Sequence, residues 1–165
     1  MNADDRTPEA RLAALGLALP APVKPPPGIR VAMPWVNIRG TRTFVSGHFA
    51  LEPDGTPAGP LGRLGAEVSL EDGTALARKT GLAMIASLGR ELGSLSRIAG
   101  WGRALGMIAS APDFHRQPVV MNGFSELIVE VFGDEVGRHA RSAVGMAALP
   151  LGCAVEIEAE VLLGD

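Results

Sequence analysis

Arg141, Glu156 and Ser46 are the residues of this 165-residue chain best equipped to do chemistry. Arg141 lies in the run Ala140 to Ala147, which reads as a strand, with Ala143 and Gly145 next along its own face. Small neighbours let a carboxylate approach the guanidinium, whose planar fork matches a carboxylate in a bidentate way. An interface arginine in a salt bridge is the plainer reading of the same residue. Glu156, taken alone, is a strand glutamate facing solvent or a partner chain. Paired with an arginine and a small pocket, it can position a water molecule. Ser46 precedes Gly47 at a strand end and offers its hydroxyl to a ligand. No Ser–His–Asp arrangement or nucleophile elbow surrounds it, so a nucleophilic role is not expected. Asn122 falls in a helical region, where amides commonly satisfy local backbone or subunit contacts.

Other chemistries are poorly supplied. The single cysteine, Cys153, excludes an intramolecular disulfide and a thiolate zinc cluster, and reads as a small buried hydrophobe. His48, His115 and His139 fall in neither HxH nor HExxH spacing, so no metal site is expected. No glycine-containing segment has the strand–GxGxxG–helix context of a nucleotide loop, and no cofactor is expected. The net charge is −3, aromatics are 4% and tyrosine is absent. Without a basic excess or stacking platforms, a nucleic-acid partner is not expected. No apolar run reaches the roughly 18 residues of a membrane span, and the acidic start Met1 to Asp5 lacks a secretory apolar region. A cytoplasmic protein with no membrane partner is the expectation.

The elements that must position these residues are legible in outline. Thr7 caps a short helix with Pro8 and Glu9 in its first turn, Leu12 and Leu15 on one face, and Gly16 as a left-handed stop. Leu19 to Gly28 is proline-rich and reads as an extended arm. Residues 1–28 are thus an N-terminal helix and arm, and residues 29–165 the main domain. Trp35 to Ile38 and Thr43 to Ser46 are β-rich runs joined by a hairpin connection at Arg39–Arg42. Residues 52–66 read as an exposed loop.

A long helix is predicted from Ser69 to Gly93, with Ala77, Gly81, Met84 and Leu88 as its buried stripe. Ile98 to Met107 reads as a strand despite three glycines. A second helical region is predicted to start at Ser110–Asp113, with Pro118 in its first turn or breaking it. Val120, Phe124, Leu127 and Val131 form its stripe, and Gly133 its end. Val155, Ile157, Ala159 and Val161 alternate with three glutamates over Ala154 to Leu162, the clearest strand of the chain. The order is β-β-α-β-α-β-β, an α/β (α+β) single sheet covered by two helices on one face. Three glutamates on the other face should not be buried dry, so a polar interface or a lined cleft is expected there.

Phe44-Val45-Ser46-Gly47, Ala140-Arg141-Ser142, Leu149-Pro150 and Val155-Glu156-Ile157-Glu158-Ala159 together resemble the signature of the RidA/YjgF family. The most specific part is R-S-x-V-x-x-x-x-L-P followed by V-E-I-E-A. Asn122-Gly123, Val129 to Gly133 and Gly137 to Gly145 support the resemblance, which covers most of the chain after residue 28. The Leu12 to Pro20 segment suits a bacterial subgroup with an extra N-terminal helix. The resemblance implies a chorismate-mutase-like fold and a homotrimer with three clefts between subunits. It implies hydrolysis of reactive imines, tautomers of enamines, to a 2-keto acid and ammonia. Arg141 would anchor the substrate carboxylate and Glu156 would hold the attacking water. Ser46 and the backbone at Gly47 would line the pocket, with Asn122 at a position that is polar in family members. A non-catalytic trimer that senses a small carboxylate is the alternative, and an endoribonuclease a more remote one.

The chain departs from the family pattern at three places. Met33 stands where a pocket tyrosine is common, although a shorter hairpin would bring Trp35 there. Ala143 replaces a common cysteine, keeping the backbone N–H without the thiol. Ser125 stands where a second aromatic is common.

Overall fold

The computed structural model describes residues 7–25 and 27–164. A five-stranded sheet carries two long helices on one face. The hairpin of β1 (Val36–Arg39) and β2 (Arg42–Phe49) turns through Gly40-Thr41, with Gly40 at φ 63°. That positive φ is easy for glycine and strained for a residue with a Cβ. The remaining strands are β3 (Ile98–Ala109), β4 (Ala140–Met146) and β5 (Val155–Leu163). Their spatial order is β1-β2-β5-β3-β4, antiparallel except for the parallel β3–β4 pair. The alternation in β5 is realised as expected. Val155, Ile157, Ala159 and Val161 are buried under the helices, and Glu156, Glu158 and Glu160 take the other face.

The first helix, α1 (Pro8–Ala14), is capped by the Thr7 hydroxyl, which accepts from the Ala10 N–H at 3.2 Å. Helix α2 (Leu70–Leu92) starts at Ser69, whose hydroxyl accepts from the Asp72 N–H, and stops at Gly93 with φ 77°. Its stripe of small residues brings another helix close. A Cβ at Gly81 would meet the side chains of Leu127 and Phe124 of α4 (Asn122–Gly137). On α4 and just before it, Val120, Phe124, Leu127 and Val131 are fully buried as the spacing predicts. Each such side chain stabilises the fold by roughly 1.5–3 kcal/mol relative to exposure.

Several local expectations need correction. The segment Ser110–Asp113 is not helical. Helix begins with the single turn α3 (Gln117–Val120), where Pro118 sits in the first turn because its missing N–H costs nothing there. Gly133 kinks α4 at φ 79° rather than ending it, and one more turn runs to Gly137. Leu15 is exposed and only Leu12 of that pair is buried, because α1 already ends at Ala14. The 52–66 segment lacks regular structure but is not simply exposed. Ala58 and Leu64 are core residues, and Leu64 fills the space that Gly73 of α2 leaves open.

The arm crosses the main body, with the Ala21 N–H on the Pro53 carbonyl and the Lys24 N–H on the Gly55 carbonyl. The sheet face opposite the helices is left open. It exposes Phe44, Val144, Met146 and Leu162, with Arg42 paired to Glu160 at 2.6 Å. Among the described residues, no helix is long and apolar enough to cross a membrane.

Candidate functional site

Arg141 lies on β4 opposite Ala104 of β3, so its side chain shares the helix-covered face. It reaches α3 and the start of α4. Its Nη1 donates to the Ser125 hydroxyl at 2.8 Å, and its Nη2 to the Asn122 amide oxygen at 2.7 Å and the Pro118 carbonyl at 3.1 Å. Nε–H and one Nη1–H therefore have no protein partner among the described residues. The guanidinium is held in place from three sides and still carries donors and charge for a ligand.

The Ser125 hydroxyl is itself held. It lies 3.0 Å from His139 Nε2, while His139 Nδ1 lies 2.8 Å from the Gly137 carbonyl. A carbonyl only accepts, so Nδ1 carries the proton and Nε2 accepts from Ser125. Burial, and secondarily the charge of Arg141, lower the His139 pKa and keep the ring neutral. Asn122 thus orients the arginine, as does Ser125, at a position where an aromatic is common in the family. His139 had no assigned role. The available signals were periodic: Asn122 and Ser125 stand three apart on one helix face, and His139 two before Arg141. Ala143 follows on the same strand face and packs at the core edge.

Glu156 and Ser46 belong to the other side of the sheet. Glu156 pairs with Phe49 of β2 and Met107 of β3. The β2–β5 register shifts between Val45 and His48, so Ser46-Gly47 forms a bulge. The Glu156 carboxylate lies over Gly47, in space that a Cβ there would occupy. Burial, and then the neighbouring Glu158, hold the Glu156 carboxyl above its ordinary pKa. The Ser46 hydroxyl donates to the Pro34 carbonyl at 2.9 Å. A cavity of about 490 Å³ on this open face is lined by Met33, Pro34, Phe44, Ser46, Arg103 and Glu158, among others. Met33, rather than Trp35, lines it; Trp35 packs on His48 with ring centroids 5.0 Å apart.

The structure therefore gathers the candidates into two groups. Met33, Ser46, Gly47 and Glu156 lie on or beside the open face. Arg141, Asn122 and Ala143 lie at the β4–α4 edge. Cys153 stays out of both, packed with Phe49, Leu51 and Ala83, its thiol pushed up to about 12 by burial and then by Glu156. Among the described residues, no group of three or more His, Cys, Asp or Glu side chains is placed to hold a metal ion.

Residues 9–161 match the family model described as "YjgF/chorismate_mutase-like, putative endoribonuclease". The chain belongs to this YjgF family. Protein TCP17 of Trypanosoma cruzi is 39% identical over 159 residues, 94% of each chain. The crystal structure of Atu1372, a protein of unknown function from Agrobacterium tumefaciens, is 35% identical with a TM-score of 0.83. That match covers 98% of this chain and 94% of the other. A Shewanella oneidensis protein carrying the same endoribonuclease description is 32% identical with a TM-score of 0.85, over 96% of this chain and all of its own. All three matches extend over nearly the full length of this chain. The more distant TdcF of E. coli, crystallised with bound serine, shares the fold at 19% identity and a TM-score of 0.53, over 87% of this chain and 94% of its own.

Proposed function

We propose that the protein is a homotrimeric hydrolase of small 2-imino acids, the tautomers of 2-enamino acids, releasing a 2-keto acid and ammonia. The observation that carries this reading is the Arg141 guanidinium, fixed by Ser125, Asn122 and the Pro118 carbonyl with two N–H groups left over. Such a pre-oriented cation suits a carboxylate, because its orientation is set before the ligand arrives. Glu156 would take a proton from water as the oxygen adds to the imine carbon and the C=N electron pair moves to nitrogen, and would pass that proton to the nitrogen. The carbinolamine then loses ammonia as the C–N bond breaks, the C=O bond forms and the hydroxyl proton goes to the leaving nitrogen. A carboxyl held above its ordinary pKa is a better base for this step than an exposed one. The imine carbon is already electrophilic, so an oriented water and a fixed carboxylate supply what the reaction needs.

The trimer is part of the proposal. Arg141 and Glu156 point away from each other across one sheet, so a cleft that uses both takes one from each of two subunits. The exposed Phe44, Val144, Met146 and Leu162 supply an apolar face for such contacts. A net charge of −3 speaks for a small metabolite over RNA as substrate.

The test is ammonia release from 2-imino acids generated in place by an amino-acid oxidase. The reading expects clear acceleration over the uncatalysed reaction. No acceleration with any imine overturns it, and a carboxylate that raises Tm without turnover would then mark a sensor instead.

A further inference from the structure

His48 is the most deeply buried titratable side chain near the site, at 1% exposure, and the chemistry above does not use it. Its Nδ1 lies 2.6 Å from the Ser46 carbonyl and its Nε2 2.9 Å from the Ser87 hydroxyl of α2. The carbonyl assigns the proton to Nδ1, so Nε2 accepts from Ser87. Ser87 in turn accepts from Arg90 Nη2 at 3.2 Å, and Arg90 Nη1 donates to the Pro20 carbonyl of the N-terminal arm, also at 3.2 Å. One chain of hydrogen bonds thus runs from the arm through α2 to the bulge. At the bulge the strand ladder is interrupted, and a side-chain donor takes over part of its work. Gly47, the residue between Ser46 and His48, is the one whose missing Cβ makes room for the Glu156 carboxylate.

We infer that His48 is a positioning residue: by holding the Ser46 carbonyl it sets the Ser46-Gly47 bulge against which Glu156 is placed, with Arg90 tying the same bonds to the arm. The inference rests on the proposed role of Glu156 as the group that handles water. A core histidine conserving only packing would serve stability alike at any site. Here both ring nitrogens are committed, one of them to the backbone of the bulge itself.

The test compares His48→Leu, which removes the donor, with His48→Asn, whose amide N–H can replace Nδ1–H. Two readouts are used: kcat and KM for 2-imino acid hydrolysis, and the Glu156 carboxyl titration followed by carbon NMR. His48→Leu should lower kcat by about tenfold or more with KM changed by less than about twofold. Its Glu156 midpoint should fall towards the ordinary carboxylate range as the carboxyl becomes hydrated. His48→Asn should restore most of both. In a Glu156→Gln background His48→Leu should cause no further loss of kcat. If His48→Leu does not fold, Ser87→Ala, which removes the donor to Nε2, should shift both readouts in the same direction. A folded His48→Leu or Ser87→Ala protein with unchanged kcat and an unchanged Glu156 midpoint overturns the inference. Should the wild type hydrolyse no imine, the proposed function fails by itself, and the Glu156 titration still decides the role of His48.

Discussion

Arg141 and Glu156 stand on opposite faces of one sheet, Arg141 in register with Ala104 beneath the helices and Glu156 with Met107 on the open side. Neither residue can swing through the sheet to join the other. In the proposed trimer, a ligand that meets both lies between two copies of the chain, at the β4 edge of one and the open face of the next.

The first consequence concerns Arg141 itself. Arg141→Ala should raise KM strongly and lower kcat/KM by the equivalent of about 2–5 kcal/mol, the cost of losing one partner of a desolvated charge pair. Arg141→Lys should recover little, because an ammonium cannot reproduce the contacts to Ser125, Asn122 and Pro118 together. Steady-state kinetics on protein of unchanged oligomeric state checks this.

Ser125→Ala should act on the same site more gently. It frees one Arg141 N–H and leaves His139 Nε2 without its donor. Loss of one such bond costs about 1 kcal/mol in general, so Tm should fall slightly. The effect on activity should appear in KM for the carboxylate substrate, while kcat stays close to that of the wild type.

The fold was largely legible because its strongest signals are local. Ser69 and Gly93 mark the ends of α2 by cap chemistry, and the alternation of Val155 to Val161 fixes both the strand and its buried face. Arg141 stood out because a charged residue among small ones in a strand is unusual. Its partners did not, because whether Ser125 meets Arg141 depends on where α4 sits over β4, a tertiary relation that no local pattern encodes. The burial of Leu64 escaped for the same reason, since it depends on a loop folding back over Gly73. The bulge at Ser46-Gly47 is likewise not encoded locally, because it depends on the register of β2 against β5.

Acid stability should report on His48. Burial lowers its pKa from 6.5 to about 4, with the Ser46 bond opposing and Arg90 adding to the shift. Between those values the unfolded chain binds a proton that the folded chain refuses. Stability is therefore full above pH 6.5 and is lost as pH falls towards 4, by about 3 kcal/mol at most. Tm measured from pH 7 to 4 should fall less steeply in His48→Asn than in the wild type. Parallel curves would contradict this.

The central claim is that each site takes Arg141 from one subunit and Glu156 from another, and subunit mixing tests it most directly. Arg141→Ala and Glu156→Gln proteins, each with only a small residual rate alone, are unfolded together and reassembled in equal amounts. Random assembly should rebuild an intact Arg141–Glu156 pair at about a quarter of the sites, and imine hydrolysis should return to about that fraction of the wild-type rate. Mixed oligomers that form and keep only the residual rate would contradict the account.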